Sequence, residues 1–449
     1  MPGTSRPRRL VVAALTVVLA LGLSACASDY PNTTFVTFSE FGRDIDALWD
    51  QLLFWGTIVF VLVEAILIYT LVRYRSRPGQ AEPKHVHGNT TLEIAWTLLP
   101  AVILILIAIP TVRTIFRTQA PAVPDALQVE VVGHQWWWEF RYPQYTRQDP
   151  ATGRVDTLVT ANEVYFPKGR TVNFALRTAD VIHSFWIPRF GGKRDLISNH
   201  TNHLWFTPDD STATTIWNGF CVEYCGASHA NMKFRAVTVT PEEFERWTAH
   251  QLSPAAFGAA AAPAPAAPSG GDTTARGASP AVAAGGASNQ SAAQGEPERA
   301  GVAGAPMLAM TGVFPKDSAP AYAVPSTPVP DGLTFPEGLV GDAERGRQIY
   351  SSQTCIACHR IAGNPMSVGI IGPNLTHVGS RSTIGAGLYP NDARHLALWI
   401  KNTRAMKPCS IMPTLGAGQV DPMTKQPVTA GGLTDQQIAD IVAYLQALQ

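Results

Sequence analysis

The chain has 449 residues, and its 34 Lys and Arg balance its 34 Asp and Glu, so the formal net charge is zero. This length exceeds one ordinary domain and allows several cores. The charge balance argues against a protein that binds nucleic acid or an acidic partner through bulk electrostatics. Six cysteines are too few for an extracellular disulfide scaffold. The apolar residues are concentrated in three runs before residue 120, which indicates contact with a membrane.

Residues 1–25 have the pattern of a signal peptide, with a basic start, an apolar run over 10–23 and the tetrad LSAC ending at Cys26. The tetrad resembles a bacterial lipobox, which implies cleavage before Cys26 and acylation of that cysteine. The alternatives are an ordinary signal peptide and an uncleaved anchor that happen to end in Cys. In each case the chain that follows begins outside the cytoplasm.

Residues 26–117 contain two longer apolar segments, at about 48–72 and 94–112. Each is long enough to cross a bilayer core of about 30 Å. The connection between them carries several arginines and a lysine, which the positive-inside rule places in the cytoplasm. The sequence therefore predicts a transmembrane hairpin that returns the chain to the outer side of the membrane.

Two acids lie at or near membrane depth, where an ionisable group is a functional hypothesis by default. Glu64 interrupts the first segment, and we expect it to make a polar contact with a partner helix. Glu93, in TTLEIAWTLLP, starts the second segment. It could also be a solvated acid at the helix start.

Short segments rich in β-branched and aromatic residues follow over 118–247, separated by turn residues, and they predict an all-β Greek-key barrel or sandwich. The predicted strands are Leu127–Val132, Trp136–Tyr142, Thr171–Arg177, Val181–Ile187, Ala213–Trp217 and Phe234–Thr240. Trp136, Trp137 and Trp138 are consecutive, so on a strand they cannot all face one core.

The stretch CVEYCGASHANM contains two thiols, an imidazole and a thioether, at Cys221, Cys225, His229 and Met232. These ligand types select copper, whereas calcium and magnesium prefer oxygen. His183, on a predicted strand, is the candidate for a second imidazole. Because a blue-copper site needs one Cys, the surplus thiolate indicates two bridged metal ions. A disulfide and half of a zinc site are the alternatives.

Residues 248–335 form a predicted linker. Most of it is Ala, Pro, Gly and Ser, which cannot bury enough apolar area to offset the entropy of ordering. Such a tether would hold the following domain at high effective concentration near the preceding one. Its last part, 306–335, is Pro-rich with a few hydrophobic residues that could dock loosely.

Residues 336–449 carry CIACH, the pattern for covalent c-type haem attachment through Cys355 and Cys358 with His359 as axial ligand. A helix-like segment precedes it, and an amphipathic helix with Thr434 as its cap ends the chain. The region resembles a small all-α class I cytochrome c. The resemblance implies that Met412 is the second axial ligand and that Pro373 orients His359. The alternatives to Met412 are Met406, Met366 and Met423.

The cysteine-rich stretch, the His183 segment and GHQWWWEF together resemble the dicopper domain of cytochrome c oxidase subunit II, which has a cupredoxin-like barrel. The resemblance extends from about residue 35 to 247. It implies two coppers bridged by sulfur, with these ligands: His183, Cys221, the carbonyl of Glu223, Cys225, His229 and Met232. It also implies a magnesium ion on the Glu223 carboxylate, electron acceptance at Trp136 and a proton-path entrance at Glu93.

With the fused cytochrome, the whole chain resembles subunit II of a caa3-type oxidase. That resemblance implies an electron-input subunit in the bacterial inner membrane, with its copper and haem domains on the periplasmic side. Its partners would be the catalytic subunit I, other oxidase subunits, and a cytochrome or cytochrome bc complex as donor. The resemblance implies oxygen reduction and proton translocation by the complex, and the chain would be enzymatic only within it.

Two other functions remain open from the sequence. One is the electron-input subunit of a copper-containing nitric oxide reductase. The other is a membrane-anchored periplasmic electron carrier, although a second membrane helix and Glu93 argue against it.

Overall fold

The computed structural model describes residues 16–17, 30–79, 87–148, 153, 155–255 and 305–449. The predicted signal peptide (apart from residues 16–17), the lipidation site Cys26 and the linker stretch 256–304 lie outside the described residues. The elements below are numbered in chain order.

Two long apolar helices come first, α1 (Glu40–Arg73) and α2 (Thr90–Gln119). Ser39 and Asn89 cap their N-termini by accepting hydrogen bonds from backbone N–H groups. Thirty residues of helix span about 45 Å, so each exceeds the thickness of a bilayer core. Their apolar side chains are exposed along most of their length, which suits lipid contact.

The start of α1 is fixed to the β-domain. The Phe41 ring is buried where the backbone comes close at Gly191 and Gly192, and a Cβ at Gly192 would lie 2.4 Å from that ring. The Glu40 carboxylate accepts a hydrogen bond from the Thr207 backbone N–H. The helices therefore join the β-domain through packed and hydrogen-bonded contacts.

The β-domain contains ten strands in two five-stranded sheets, with orders β3-β2-β1-β5-β8 and β4-β10-β9-β6-β7. The strands of the first sheet are β1 (Leu127–His134), β2 (Trp137–Gln148), β3 (Val155–Ala161), β5 (Val172–Thr178) and β8 (Asn202–Phe206). Those of the second are β4 (Glu163–Pro167), β6 (His183–Ile187), β7 (Gly191–Leu196), β9 (Thr215–Cys221) and β10 (Lys233–Val239). Rings from both sheets form one core, as where Phe174 meets Phe185 with centroids 5.0 Å apart.

This arrangement confirms the all-β cupredoxin-like class. The sequence predicted six of the ten strands and missed β3, β4, β7 and β8. Trp137 and Trp138 alternate as a strand requires, because Trp138 is fully buried and Trp137 is partly exposed, whereas the partly exposed Trp136 lies just before β2.

Helix α3 (Pro241–Leu252) and the short helix α4 (Ala305–Thr311) pack on the β-domain. Val313, Phe314 and Ala323 belong to the β-domain core, and Leu333 belongs to the core that follows. Gly312 allows a close approach to α3, since its φ is +69° and a Cβ there would lie 2.1 Å from the Glu243 carbonyl oxygen. The described end of the expected linker is therefore packed against both cores.

The last part of the chain is mainly helical and has its own core. Its helices are α5 (Ala343–Ser352), α6 (Cys355–Cys358), α7 (Ala393–Lys401), α8 (Thr403–Met406) and α9 (Asp435–Ala447), and its short strands are β11 (Thr383–Ile384) and β12 (Tyr389–Pro390). Helices α5 and α9 cross at Gly346. A Cβ at this position would lie 1.9 Å from the Asp440 carbonyl oxygen, so only glycine fits there. Thr434 caps α9 with a capping box, as the sequence predicted.

Candidate metal and haem sites

The first site lies at the end of the β-domain where β9 and β10 leave their sheet. The Cys221 N–H donates to the Met232 carbonyl at 3.1 Å, which closes the loop between these strands. The two cysteine sulfurs are 3.8 Å apart and both cysteines are free thiols. A disulfide needs an S–S distance near 2.05 Å, so the structure has the cysteines side by side and unbonded.

The other predicted ligands surround this pair of sulfurs. The Nδ1 of His183 lies 3.8 Å from the Cys221 sulfur, and the Nδ1 of His229 lies 3.6 Å from the Cys225 sulfur. The Met232 Sδ is 3.9 Å from the Cys225 sulfur. The Glu223 carbonyl oxygen is 3.3 Å from the Cys221 sulfur, while its carboxylate is exposed. All six predicted copper ligands are therefore brought together.

Burial and charge around the sulfurs suit a cation. His183 is fully buried and Cys225 is 2% exposed. The hydrogen bond with Cys225 lowers the pKa of the Cys221 thiol, and the His183 ring adds to this effect. The same hydrogen bond, together with burial, raises the pKa of the Cys225 thiol, so the geometry favours one anionic sulfur, which is the form that binds metal.

Asp180 is a functional residue that the sequence reasoning missed. Its Oδ1 lies 2.8 Å from the His183 Nε2, and its Oδ2 accepts from the Gln135 N–H at 2.7 Å. Burial lowers the pKa of His183, but the Asp180 hydrogen bond and the Cys221 sulfur outweigh it, so the net pKa is raised. A carboxylate on the far nitrogen fixes the ring and leaves Nδ1 facing the sulfurs. The sequence feature that could have identified Asp180 is its position three residues before His183.

Trp136 connects this site to a second one. Its indole N–H donates to the Cys225 carbonyl at 3.0 Å, and the Gln135 side chain donates to the same oxygen at 2.8 Å. Trp136 also lines an apolar cavity in the helical domain. One side chain therefore contacts the loop that holds the sulfurs and the wall of the cavity.

The cavity wall holds the CIACH residues. Cys355, Cys358 and His359 line it, and the His359 Nδ1 is 2.8 Å from the Pro373 carbonyl. Gly372 passes close to this ring, since a Cβ there would lie 2.6 Å from the ring carbon Cε1. Burial lowers the pKa of His359, which keeps the imidazole neutral and able to bind a metal through Nε2. The apolar lining, paired thiols and neutral imidazole fit a haem.

The methionine candidates differ in position. Met412 lines the cavity together with His359. Met406 is buried in the helical core, and its carbonyl accepts a hydrogen bond from the Tyr389 hydroxyl. Met366 and Met423 are 57% and 63% exposed and are absent from the cavity lining.

The helical domain contacts the β-domain beside Trp136. The Lys407 ammonium donates to the Trp136 and Gly385 carbonyls, the latter at 3.2 Å. Burial lowers the pKa of Lys407 to about 7, so the amine donates in either protonation state near neutral pH. The Ser228 hydroxyl donates to the Pro408 carbonyl at 2.6 Å, which ties the two loops together.

A second group of contacts supports the same seating. The buried Glu163 carboxylate accepts from the backbone N–H and the hydroxyl of Ser382, at 2.7 and 2.6 Å. Asp156 pairs with Arg360 at 2.6 Å. The Lys233 N–H donates to the Ala386 carbonyl at 3.0 Å. The interface therefore includes backbone, charged and neutral hydrogen bonds.

Glu93 lies apart from both sites. It is exposed in the first turn of α2, whose other end contacts the β-domain through a hydrogen bond between Gln119 and Arg194. The helical rise places it about 40 Å from that end. The structure thus leaves Glu93 on the far side of the membrane segment from the sulfur cluster.

These features define a membrane-associated electron-transfer protein. They are two apolar helices, a cupredoxin-like domain with a thiol–imidazole cluster, and a helical domain with the CxxCH pattern. The chain matches the cytochrome c oxidase subunit II transmembrane domain over residues 37–114 and the periplasmic domain of that subunit over 127–239. It matches cytochrome c over 343–449.

Individual relatives agree with these matches. Cytochrome c oxidase subunit 2 of Alkalihalophilus pseudofirmus is 27% identical over 398 residues, which cover 87% of this chain and 83% of the relative. Probable cytochrome c oxidase subunit 2 of Rickettsia bellii is 30% identical, over 48% of this chain and 82% of the relative. The solved periplasmic domain of the Bradyrhizobium japonicum subunit II is 31% identical over 28% of this chain and 95% of that chain, with a TM-score of 0.24.

The chain belongs to the cytochrome c oxidase subunit II family and carries a cytochrome c domain after the subunit II region. The predicted family resemblance is thereby confirmed. Membership implies copper in the β-domain, haem in the helical domain, and an oxidase complex with other subunits in a membrane.

The contact between Asp180 and His183 gives a first prediction. Asp180→Asn removes the negative charge that orients the ring, so we expect copper affinity to fall about 10- to 100-fold. Competition against a copper chelator, read by copper content per chain, measures this. Asp210→Asn, at an exposed acid, is the matched control. Equal affinity in the two variants would contradict the role given to Asp180.

Proposed function

We propose that this chain is the electron-input subunit of a haem-copper terminal oxidase that reduces oxygen to water and translocates protons. It would receive electrons at a covalent haem c, transfer them to a binuclear copper centre and deliver them to the catalytic subunit. The observation that carries this is Trp136, which contacts both the cavity of the CxxCH domain and the loop that holds the paired sulfurs.

The copper ligands would be the six groups around the sulfurs. Cys221 and Cys225 would bridge two ions, with His183 beside Cys221 and His229 beside Cys225 as further ligands. Met232 and the Glu223 carbonyl would be weaker ligands. Bound there, the copper pair would supply one delocalised one-electron centre. The rigid β-strands at both ends of the loop limit rearrangement of these ligands, which is what a one-electron relay needs.

The haem would be held by thioether bonds to Cys355 and Cys358, with His359 and Met412 as axial ligands. Pro373 would orient His359 through its carbonyl. The apolar wall would exclude water, and the haem would supply a second one-electron centre. Met412 is favoured over Met406 because it faces the cavity while Met406 belongs to the core.

The remaining roles concern the assembly. The family and the two apolar helices support a hairpin in the bacterial inner membrane with both metal domains on the periplasmic side. The outer face of the copper loop carries exposed Glu223 and Tyr224, which suits contact with catalytic subunit I and a shared magnesium ion on the Glu223 carboxylate. Glu93, at the opposite end of α2, would lie at the entrance of a proton path. A cytochrome or a cytochrome bc complex would be the donor.

The central test is purification of the complex from membranes with the variant Cys221→Ser. We expect loss of the mixed-valence copper resonance and loss of oxygen consumption, because one bridging thiolate is gone, while the haem spectrum stays intact. Cys409→Ser, at an exposed cysteine that is not one of the predicted ligands, is the control. A complex that lacks the copper signal before mutation, or reduces nitric oxide instead of oxygen, would refute the proposal.

The axial ligand has its own test. Met412→Leu should remove the absorption band of methionine-ligated low-spin haem, because the thioether is replaced by a hydrocarbon of similar size. Met406→Leu makes the same change in the core and should leave the band in place with a stability loss below about 1.5 kcal/mol. The reverse pattern would transfer the ligand role to Met406.

Lys407 tests the seating of the two domains. Lys407→Met removes the hydrogen bond that the buried amine donates across the interface to the Trp136 carbonyl and leaves that acceptor without it, which should weaken docking by about 1–3 kcal/mol. We expect slower haem-to-copper electron transfer after flash reduction, with unchanged haem and copper spectra. Lys401→Met is the matched control, because Lys401 is also buried but pairs with Asp435 within the helical domain. Equal rates in both variants would exclude Lys407 as a positioning residue.

A further inference from the structure

The cavity that suits haem is covered on one side by the chain itself. Gln135, Trp136 and Trp137 of the β-domain form part of its wall. Lys407 and Ser228 close the same side by their hydrogen bonds across the domain interface. An external electron donor therefore cannot use this side, and it must reach the helical domain from another direction.

A second side of the helical domain exposes apolar side chains beside the CxxCH turn. Met366, Val368 and Ile370 are 57%, 65% and 81% exposed. The residues between them, Ser367 and Gly369, are buried. The usual alternation, with apolar groups inside and polar groups outside, is reversed in this segment.

Contacts with the CxxCH turn explain the reversal. The Ser367 hydroxyl donates to the His359 carbonyl at 2.8 Å, and the Gly369 N–H donates to the Ile356 carbonyl at 3.1 Å. A Cβ at Gly369 would lie 2.4 Å from the Cys358 carbonyl carbon. Because this face of the segment must approach the turn closely, the apolar side chains point outward. We call Met366, Val368 and Ile370 the outer patch.

The outer patch adjoins the mouth of the cavity. Ile371 follows it directly and is one of the residues that line the cavity. The segment is also free of formal charge, since no Asp, Glu, Lys or Arg lies between Arg360 and Arg381 in the sequence. Arg360 itself pairs with Asp156 of the β-domain. A partner at the outer patch would therefore meet an apolar surface, with apolar contact as the main attraction.

We propose that the outer patch is the docking surface of the external electron donor. The donor would be a c-type cytochrome whose surface around the haem edge is apolar and weakly charged. This inference rests on the proposed electron-input function and adds the place and chemistry of the input. Three apolar side chains make a small contact, which suits the short-lived complexes of electron transfer with less than about 1,200 Å² buried. An apolar centre is also where interface residues have most effect on affinity.

The test uses the purified whole complex with the double change Val368→Asp and Ile370→Asp. The probe is a reduced soluble class I cytochrome c of near-zero net charge, and stopped-flow absorbance follows reduction of the haem in the complex. We expect its second-order rate to fall by about tenfold, as a loss of about 1.4 kcal/mol in encounter affinity gives. In the unaltered complex the rate should change little with salt, because apolar contact is not screened.

Two controls separate docking from other effects. Hexaammineruthenium(II), a small reductant, should reduce the haem of the variant at the unaltered rate. Val420→Asp introduces one such negative charge at an exposed valine that is 55% accessible and does not line the cavity, and it should not slow the protein donor. An unchanged donor rate in the double variant, or equal slowing by Val420→Asp, would overturn the inference.

Loss of another subunit from the double variant during purification would also overturn it, since the outer patch would then be a subunit contact. A different result would contradict the proposed function. If the haem reduced by hexaammineruthenium(II) in the unaltered complex passes no electron to copper, the electron-input function is wrong whatever the outer patch does.

Discussion

The pair of sulfurs depends on one backbone constraint, the hydrogen bond that closes the loop between β9 and β10. Strand pairing continues to Cys221 on one side and begins after Met232 on the other. Both ends of the loop are therefore fixed by the sheet, and the intervening residues must fold back over it. This brings Cys225 to 3.8 Å from Cys221. The positions of the two sulfurs are therefore a consequence of strand register.

The position of β6 supplies the other half of the cluster. It lies between β7 and β9 in the second sheet, and Phe185 pairs directly with Cys221. His183, two residues earlier on the same face, consequently points at the sulfurs. Asp180 then fixes the ring from behind by its hydrogen bond to Nε2. The imidazole is held on one side by sheet pairing and on the other by a carboxylate.

Polar groups buried between the β-domain and the helical domain give their contact a defined orientation. Glu163 and Lys407 are each about 4% exposed. A buried charge without partners costs several kcal/mol, so the interface is favourable only where Ser382 meets Glu163 and Trp136 meets Lys407. Apolar packing alone would allow the two domains to slide against each other. The hydrogen bonds select the one seating in which the indole of Trp136 spans both sites.

Local spacing in the sequence determined much of this protein. The CxxCH pentapeptide, the two cysteines four apart, the long apolar runs and the Thr434 cap are each decided within a few residues or one turn of helix. The predicted strand at 181–187 added His183 as a candidate ligand, and the family resemblance added the roles of Met412 and Trp136 as expectations. Fold class could be predicted because β-branched segments and amphipathic helices keep their periodicity whatever lies around them.

Only the tertiary structure decided which groups meet across long separations. Four strands were missed because their burial comes from neighbours in the sheets rather than from their own alternation. The resemblance favoured Met412 over Met406, and the fold puts Met412 in a cavity wall and Met406 in a core. Lys407 meets the Trp136 backbone across 271 residues. No local pattern encodes such a contact, because it arises when two separately formed cores bury polar groups against each other.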